Sequence, residues 1–185
     1  QDKDVSYDLE FVCFDSDNWI GNGYLMPSGP LREKLKSLKK YDGVFLKGDN
    51  SNHPNIIEQI KKYNNKIQIF MTHYEPINLK KFNLSKKYLI FSGIGNSNSF
   101  KNILIKNNFK IVEEIIYPDH YNYTESDIEK IKMQADKLDA NIITTEKDHV
   151  KISETNQMKI KFLEIELKIK DETNLINFLK SKIYE

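Results

Sequence analysis

Short apolar runs alternate with amphipathic stretches along this chain, and that alternation restricts its fold more than any other feature. Runs with strand character lie at Leu9 to Phe14, Gly43 to Lys47, Lys66 to Met71, Tyr88 to Phe91, Lys110 to Ile116, Asn141 to Thr145 and Lys159 to Glu166. Between them apolar residues recur at helical spacing: Leu31, Leu35 and Leu38 within 30–40, Ile56, Ile57 and Ile60 within 54–63, and Ile128, Ile131 and Ala135 within 124–138. Strands separated by helices pair in parallel and bury both faces under those helices. The predicted class is therefore α/β, with parallel sheets in α/β/α layers. Residues 72–87, with Pro76 and several Asn and Lys, carry the weakest pattern and mark a junction. Two domains are expected, 1–75 and 76–185, the second closing with the carboxyl-terminal helix.

Gly21-Asn22-Gly23-Tyr24-Leu25-Met26-Pro27-Ser28-Gly29-Pro30-Leu31-Arg32-Glu33 sets glycines and prolines around a charged pair. Glycines let a backbone approach a ligand and prolines fix its course, while Pro30 suits the first turn of a helix over 30–40. Arg32 and Glu33 then fall in that first turn. A guanidinium suits a phosphate or carboxylate, and a carboxylate suits sugar hydroxyls or an ordering ion pair. Taken alone, the pair reads first as a helix-start bridge, and the glycines and Asn22 beside it turn the reading toward a substrate or phosphate contact.

Three further stretches have chemical character. Gly93-Ile94-Gly95-Asn96 follows a strand and precedes a helix, a place where backbone amides can cradle an anion, although the glycines serve a tight turn equally well. Tyr117-Pro118-Asp119-His120-Tyr121-Asn122-Tyr123 is too polar for a strand core. Thr124 with Glu125 and Asp127 caps the next helix, so His120 lies on a loop at a strand's carboxyl end. A neutral imidazole there can accept a proton, and Asp119 can orient it. Thr144-Thr145-Glu146-Lys147-Asp148 ends a strand with three charges that either line a cleft or brace it.

The net charge of +1 gives no bulk attraction to nucleic acid. The single cysteine, Cys13, lies in an apolar run and reads as core, which excludes a disulfide scaffold. His53, His73 and His149 stand among unlike neighbours, so no metal cage follows from spacing. Arg32, Lys34, Lys36, Lys39 and Lys40 form either a solvated face or a contact for anionic lipid heads. Trp19, Ile20, Tyr24, Leu25 and Met26 either dip toward acyl chains or pack the loop.

The 21–33 loop resembles the Gly-Asn-Gly-x-Leu-x-Pro-x-Gly-Pro-Leu-Arg-Glu signature of the tetraacyldisaccharide 4'-kinases, which phosphorylate the lipid A precursor. Residues 91–100, 117–123 and 144–148 follow in that family's order. The resemblance implies the remainder of a P-loop NTPase-like domain followed by a smaller α/β domain. It implies transfer of a phosphoryl group from ATP to the 4'-hydroxyl of tetraacyldisaccharide 1-phosphate, giving lipid IVA, by an enzyme peripheral to the cytoplasmic face of the bacterial inner membrane. His120 then corresponds to a catalytic histidine that partners an aspartate of the phosphate-loop domain. Asn22, Arg32 and Glu33 become substrate contacts, and Gly93, Gly95, Asn96, Asp119, Lys147 and Asp148 candidate cleft or phosphate contacts.

No Gly-x-x-x-x-Gly-Lys-Ser/Thr segment occurs in the sequence, so ATP and Mg²⁺ are expected on an upstream region. Gln1 matches the Gln closing that family's Asp-Asp-Gly-x-Gln segment, with Asp2 where His often follows, and the chain reads as a carboxyl-terminal piece that is inactive alone. A nucleotide-sugar glycosyltransferase lobe would account for Gly93 and Gly95 but not for the 21–33 loop. A non-catalytic module that binds anionic glycolipid is the other alternative.

Overall fold

In the computed structural model, which describes residues 7–48 and 53–183, the apolar runs become strands and the amphipathic stretches mostly become helices. In chain order the elements are β1 (Phe11–Asp15), β2 (Gly43–Lys47), α1 (His53–Tyr63), β3 (Gln68–Pro76), β4 (Lys87–Ser92), α2 (Ser97–Lys106), β5 (Lys110–Ile116) and α3 (Glu125–Lys137). They continue with β6 (Ala140–Thr145), α4 (Glu146–His149), α5 (Glu154–Gln157), β7 (Ile160–Leu163), β8 (Ile165–Ile169) and α6 (Glu172–Ile183). Gln1 and Asp2, matched above to a family segment, lie outside the described residues. The chain divides into two compact units, Gln1–Tyr74 with Leu167–Glu185, and Glu75–Glu166.

In the first unit the strand order is β1-β2-β3-β8, and β2 pairs in parallel with both β1 and β3. Successive side chains of a strand point to opposite faces. Val44 and Leu46 of β2 accordingly join Leu38, Tyr41, Ile56, Ile60 and Ile67 in one buried cluster. Ile56 and Ile60, one turn apart on α1, supply the covering ridge. Phe45, between Val44 and Leu46, belongs instead to an aromatic set with Phe11 and Phe70, at centroid distances of 5.2 and 5.7 Å.

In the second unit the order is β5-β4-β6-β7 with parallel pairing throughout. Its central strand β4 is buried on both faces. Leu89 and Phe91 pack with Ile128, Ile131 and Ala135 of α3, while Tyr88 and Ile90 pack with Phe100 and Leu104 of α2. That double burial is why Tyr88 to Phe91 reads as a continuous apolar run rather than an alternating one. Helices lie on both sides of the sheet, the expected α/β arrangement.

Four expectations need correction. The helix over 30–40 is reduced to a 3₁₀ segment, Leu35–Lys40. Leu31 is held extended by the preceding loop, its carbonyl accepting from the Met26 amide at 2.8 Å and its own amide donating to Tyr24 at 3.2 Å. Arg32 and Glu33 therefore precede the helical turn. The run Lys159 to Glu166 splits into β7 and β8, which belong to different sheets. At the break the Glu164 amide donates to Asn78 Oδ1 at 3.1 Å and the Glu164 carbonyl accepts from the Ile77 amide at 3.0 Å, both replacing ladder bonds.

The carboxyl-terminal helix falls in the first unit, not the second, because Phe178 of α6 packs 5.6 Å from Phe70 and 6.1 Å from Phe11. Cys13 is exposed rather than core. It lies on β1, which pairs with β2 alone among the described strands and lacks the second neighbour that buries Val44 and Leu46.

Candidate functional site

Parallel strands end on the same edge, so the segments following β4, β5 and β6 meet at the carboxyl ends of the second sheet. Gly93 directly follows β4. Its amide donates to Asp148 Oδ2 at 2.9 Å, and its carbonyl accepts from the His120 amide at 3.1 Å. A Cβ at 93 would lie 3.0 Å from Tyr123 Oη and 3.2 Å from the Pro118 carbonyl, so the close approach of the two loops favours glycine here and any larger residue would push them apart by a few tenths of an ångström. Asn96 accepts from the Ser99 amide at 3.0 Å and caps α2. Gly95 runs beside Asp119, whose Oδ2 would lie 3.1 Å from an added Cβ.

His120 sits at φ +60°, the left-handed region, with a side chain 91% exposed. Its amide also lies 3.0 Å from Asp119 Oδ1, while Nε2 is 3.8 Å from Asp119 Oδ2. The backbone is thus pinned and the ring left open to solvent. Gly93, Gly95, Asn96, Asp119, His120 and Asp148 come together at this edge. Lys147 is an exposed residue of α4 on the same strand end.

Two of these positions depart from expectation. Asp148 is fully buried and cannot line an open cleft. Its Oδ2 accepts from Thr145 Oγ1 at 2.7 Å as well as from Gly93, and its Oδ1 pairs with Lys151 Nζ at 3.1 Å. The Gly93 amide, committed to that carboxylate, is not available to a phosphate.

An aromatic stack supports the His120 loop. Tyr117 lies 4.6 Å from Tyr121 and 5.1 Å from Tyr123, and Tyr123 meets Phe91 edge-on at 5.3 Å. Tyr121 donates to Asp127 Oδ2 at 3.1 Å. Hydrogen bonds from the Thr124 hydroxyl and amide hold the Asp127 carboxyl below its ordinary pKa. The Tyr123 hydroxyl is buried beside Asp148 without an aligned hydrogen bond, and burial followed by that negative charge pushes its pKa up. Burial also raises Tyr88 and Tyr117, and the bond to Asp127 raises Tyr121.

Each of these phenols holds its proton more tightly folded than unfolded, so its contribution is complete below the unfolded value of 10.0 and is lost as pH rises through the higher folded values. Thermal melts should therefore be flat in pH through neutrality and fall steeply above about pH 10. A melting temperature that holds steady well past that point would contradict the burial of this tyrosine group.

In the first unit, the loop that precedes the 3₁₀ segment is closed by its own bonds. Asn22 Nδ2 donates to the Ser28 carbonyl at 2.8 Å, and Asn22 Oδ1 accepts from the Tyr24 amide at 3.1 Å. Gly29 passes so near that a Cβ there would sit 2.2 Å from Asn22 Oδ1. Asn22 is thus a staple of the loop. Arg32 and Glu33 border a concavity of about 260 Å³ whose walls include Cys13, Phe14 and Trp19. Glu33 is paired with Lys40 at 3.1 Å, and hydrogen bonds from Lys40, Ser37 and Tyr41 lower its pKa. Arg32 is exposed and has no ion pair among the described residues.

Trp19 is partly buried, with Phe14 at 4.7 Å and Gln59 accepting from its indole at 3.2 Å, so it packs the loop. Tyr24 and Met26 are exposed at 66% and 64%. Among the described residues no cluster of His, Cys, Asp or Glu could hold a metal ion, and no helix is long and apolar enough to cross a membrane.

Comparison with known proteins then decides the family. The sequence model of the tetraacyldisaccharide-1-P 4'-kinases matches residues 1–184. The chain belongs to that family. The tetraacyldisaccharide 4'-kinase of Pelagibacter ubique (strain HTCC1062) is 46% identical over 179 residues, 97% of this chain and 57% of that protein. The Rickettsia bellii (strain OSU 85-389) kinase is 36% identical over 179 residues, 96% of this chain and 52% of its own length. The chain thus spans a little over half the length of these curated relatives.

A crystal structure of LpxK from Aquifex aeolicus in complex with ATP shares the fold, with a TM-score of 0.60 and 22% identity over 97% of this chain and 54% of that one. The four stretches that carried the resemblance all lie within the span the 4'-kinase family covers. The glycosyltransferase reading has no support beside that match.

What the sequence alone did not reveal is the buried role of Asp148 and the orphaned hydroxyl of Tyr123. The spacing Thr145-x-x-Asp148 is a helix-cap pattern. It was a signal that Thr145 and Asp148 bond each other at the start of α4.

Proposed function

We propose that these residues form the acceptor-side portion of a lipid A 4'-kinase, which moves the γ-phosphoryl group of ATP to the 4'-hydroxyl of tetraacyldisaccharide 1-phosphate and yields lipid IVA. The observation that carries this reading is a family match along residues 1–184 that includes a histidine, His120, with a fixed backbone and an open imidazole at the strand ends. The neutral imidazole takes the proton of the 4'-hydroxyl as that oxygen attacks phosphorus, and Asp119 steers the ring. Catalysis of phosphoryl transfer rests mainly on positioning and charge stabilisation.

Arg32, exposed at the rim of its concavity and without an ion pair among the described residues, grips an anionic group of the acceptor. Glu33, aligned by Lys40, offers its remaining lone pairs to sugar hydroxyls. ATP and Mg²⁺ are assigned mainly to residues upstream of this chain, whose sequence carries no phosphate-loop motif. In the full-length kinase, Arg32→Ala should raise the KM for the disaccharide phosphate about tenfold or more, the size of a lost charged hydrogen bond, with a smaller change in kcat. An unaltered KM would remove Arg32 from the acceptor site.

The exposed Tyr24 and Met26, with Lys34, Lys36 and Lys39 nearby in sequence, suit peripheral contact with the cytoplasmic face of the inner membrane. Each well-placed lysine contributes about 1 kcal/mol near anionic lipid. Sedimentation with anionic vesicles should capture the chain and weaken as salt is raised. Equal capture by neutral vesicles would argue against a charge-led contact.

A further inference from the structure

Three strand-end loops converge on one buried carboxylate. Asp148 follows β6 and is 0% exposed. Its Oδ2 takes the amide proton of Gly93, the residue after β4, and the Gly93 carbonyl takes the amide proton of His120, on the loop after β5. Gly93 is therefore the one residue between the carboxylate and the backbone of His120 along this path, its amide in one peptide group and its carbonyl in the next. The carboxylate is itself over-determined. Thr145 Oγ1 donates to it while accepting from the Asp148 amide at 3.2 Å, and Lys151 supplies the counter-charge at 3.1 Å.

A buried carboxylate is costly unless donors and a cation surround it, so this site spends a strong group on fixing the backbone at Gly93. The carbonyl of that same residue accepts from the amide of His120, which sits at φ +60°, a conformation that costs energy for a residue with a Cβ and needs support from its surroundings. The Tyr123 hydroxyl is buried next to the same carboxylate.

We propose that Asp148 is a positioning residue for His120, acting through the backbone of Gly93, and is not a ligand contact. This rests on the reading of His120 as the group that takes the acceptor proton. Displacing a catalytic group by about 1 Å can cost 100-fold in rate, so a carboxylate that never meets substrate can still govern turnover.

The test is a double-mutant cycle in the full-length kinase. Asp148→Asn keeps the side chain's size but removes its charge: with its oxygen in the place that accepts from Gly93 and Thr145, its amide nitrogen meets Lys151 Nζ donor to donor, so the hold on Gly93 is weakened. It should lower kcat about 10- to 100-fold with little change in the KM for the disaccharide phosphate. In a His120→Ala background the same substitution should have no further effect on kcat, because the group it positions is gone. Thr145→Ala, a milder change that leaves the carboxylate intact, should show a smaller loss with the same dependence on His120.

If Asp148→Asn slows both backgrounds by the same factor, or leaves kcat untouched in the first, the proposal is overturned. Hydrogen exchange separates this from misfolding: the His120 and Gly93 amides should lose protection in Asp148→Asn while those of α3 keep theirs, and loss throughout the unit would assign Asp148 a purely structural role. If His120→Ala alone leaves turnover intact, the proposed function of His120 fails, and the positioning role falls with it. That result is recognisable without any variant at 148.

Discussion

Replacing His120 by alanine in the full-length kinase is expected to lower kcat by roughly 10²- to 10⁴-fold, the range attributed to a well-placed general base. The side chain is 91% exposed, so its removal leaves no cavity and strips no core contact. The backbone is a separate matter, because alanine tolerates φ +60° less readily than histidine. His120→Asn controls for this: asparagine accepts the left-handed conformation but cannot take up a proton as imidazole does. Equal losses in both variants, with melting temperatures near that of the parent, would assign the effect to the ring. Turnover retained in either variant would take His120 out of the chemistry.

The largest expected effect on stability comes from Phe91→Ala. Phe91 is 1% exposed and lies in the cluster with Leu89, Ile128, Ile131 and Ile152. Truncating a buried phenylalanine costs about 3–5 kcal/mol through lost transfer free energy and the cavity left behind. Against a typical domain stability of about 5–15 kcal/mol, that would bring the second unit close to unfolding. Phe91 also abuts Tyr123 edge-on at 5.3 Å, so its loss should loosen the His120 loop before the sheet itself opens. Hydrogen exchange of the β4 and β6 amides provides the reading, since a chain of two units need not unfold in one step. A loss under about 1 kcal/mol would mean that the cavity collapses or that Phe91 is not central to this face.

Local pattern carried most of the fold. The continuous apolar run Tyr88 to Phe91 identified a strand covered on both faces, and Thr124 with Asp127 announced the start of α3, where a reciprocal cap forms. What local pattern could not supply was the partner of each segment. The helical spacing of Leu31, Leu35 and Leu38 was real, but Leu31 was claimed by hydrogen bonds to Tyr24 and Met26 across a loop. Lys159 to Glu166 had strand propensity throughout, and nothing in its period reveals that the chain changes sheets at Glu164. Cys13 looked like core because its neighbours are apolar, while its exposure depends on how many strands flank β1.

The candidate site was legible as a set of motifs rather than as contacts. The glycines at 93 and 95 suggested an anion cradle. Only the placement of Asp148 shows that the first of them serves a carboxylate from its own chain.

The most direct measurement is phosphate analysis of the lipid after full-length enzyme, ATP, Mg²⁺ and tetraacyldisaccharide 1-phosphate have been incubated together, with the 185-residue chain run in parallel. A second phosphate on the 4'-oxygen is expected with the full-length enzyme, and none with the 185 residues alone. A full-length enzyme that leaves the 4'-hydroxyl free, or a phosphorylated product from the 185 residues by themselves, would contradict it.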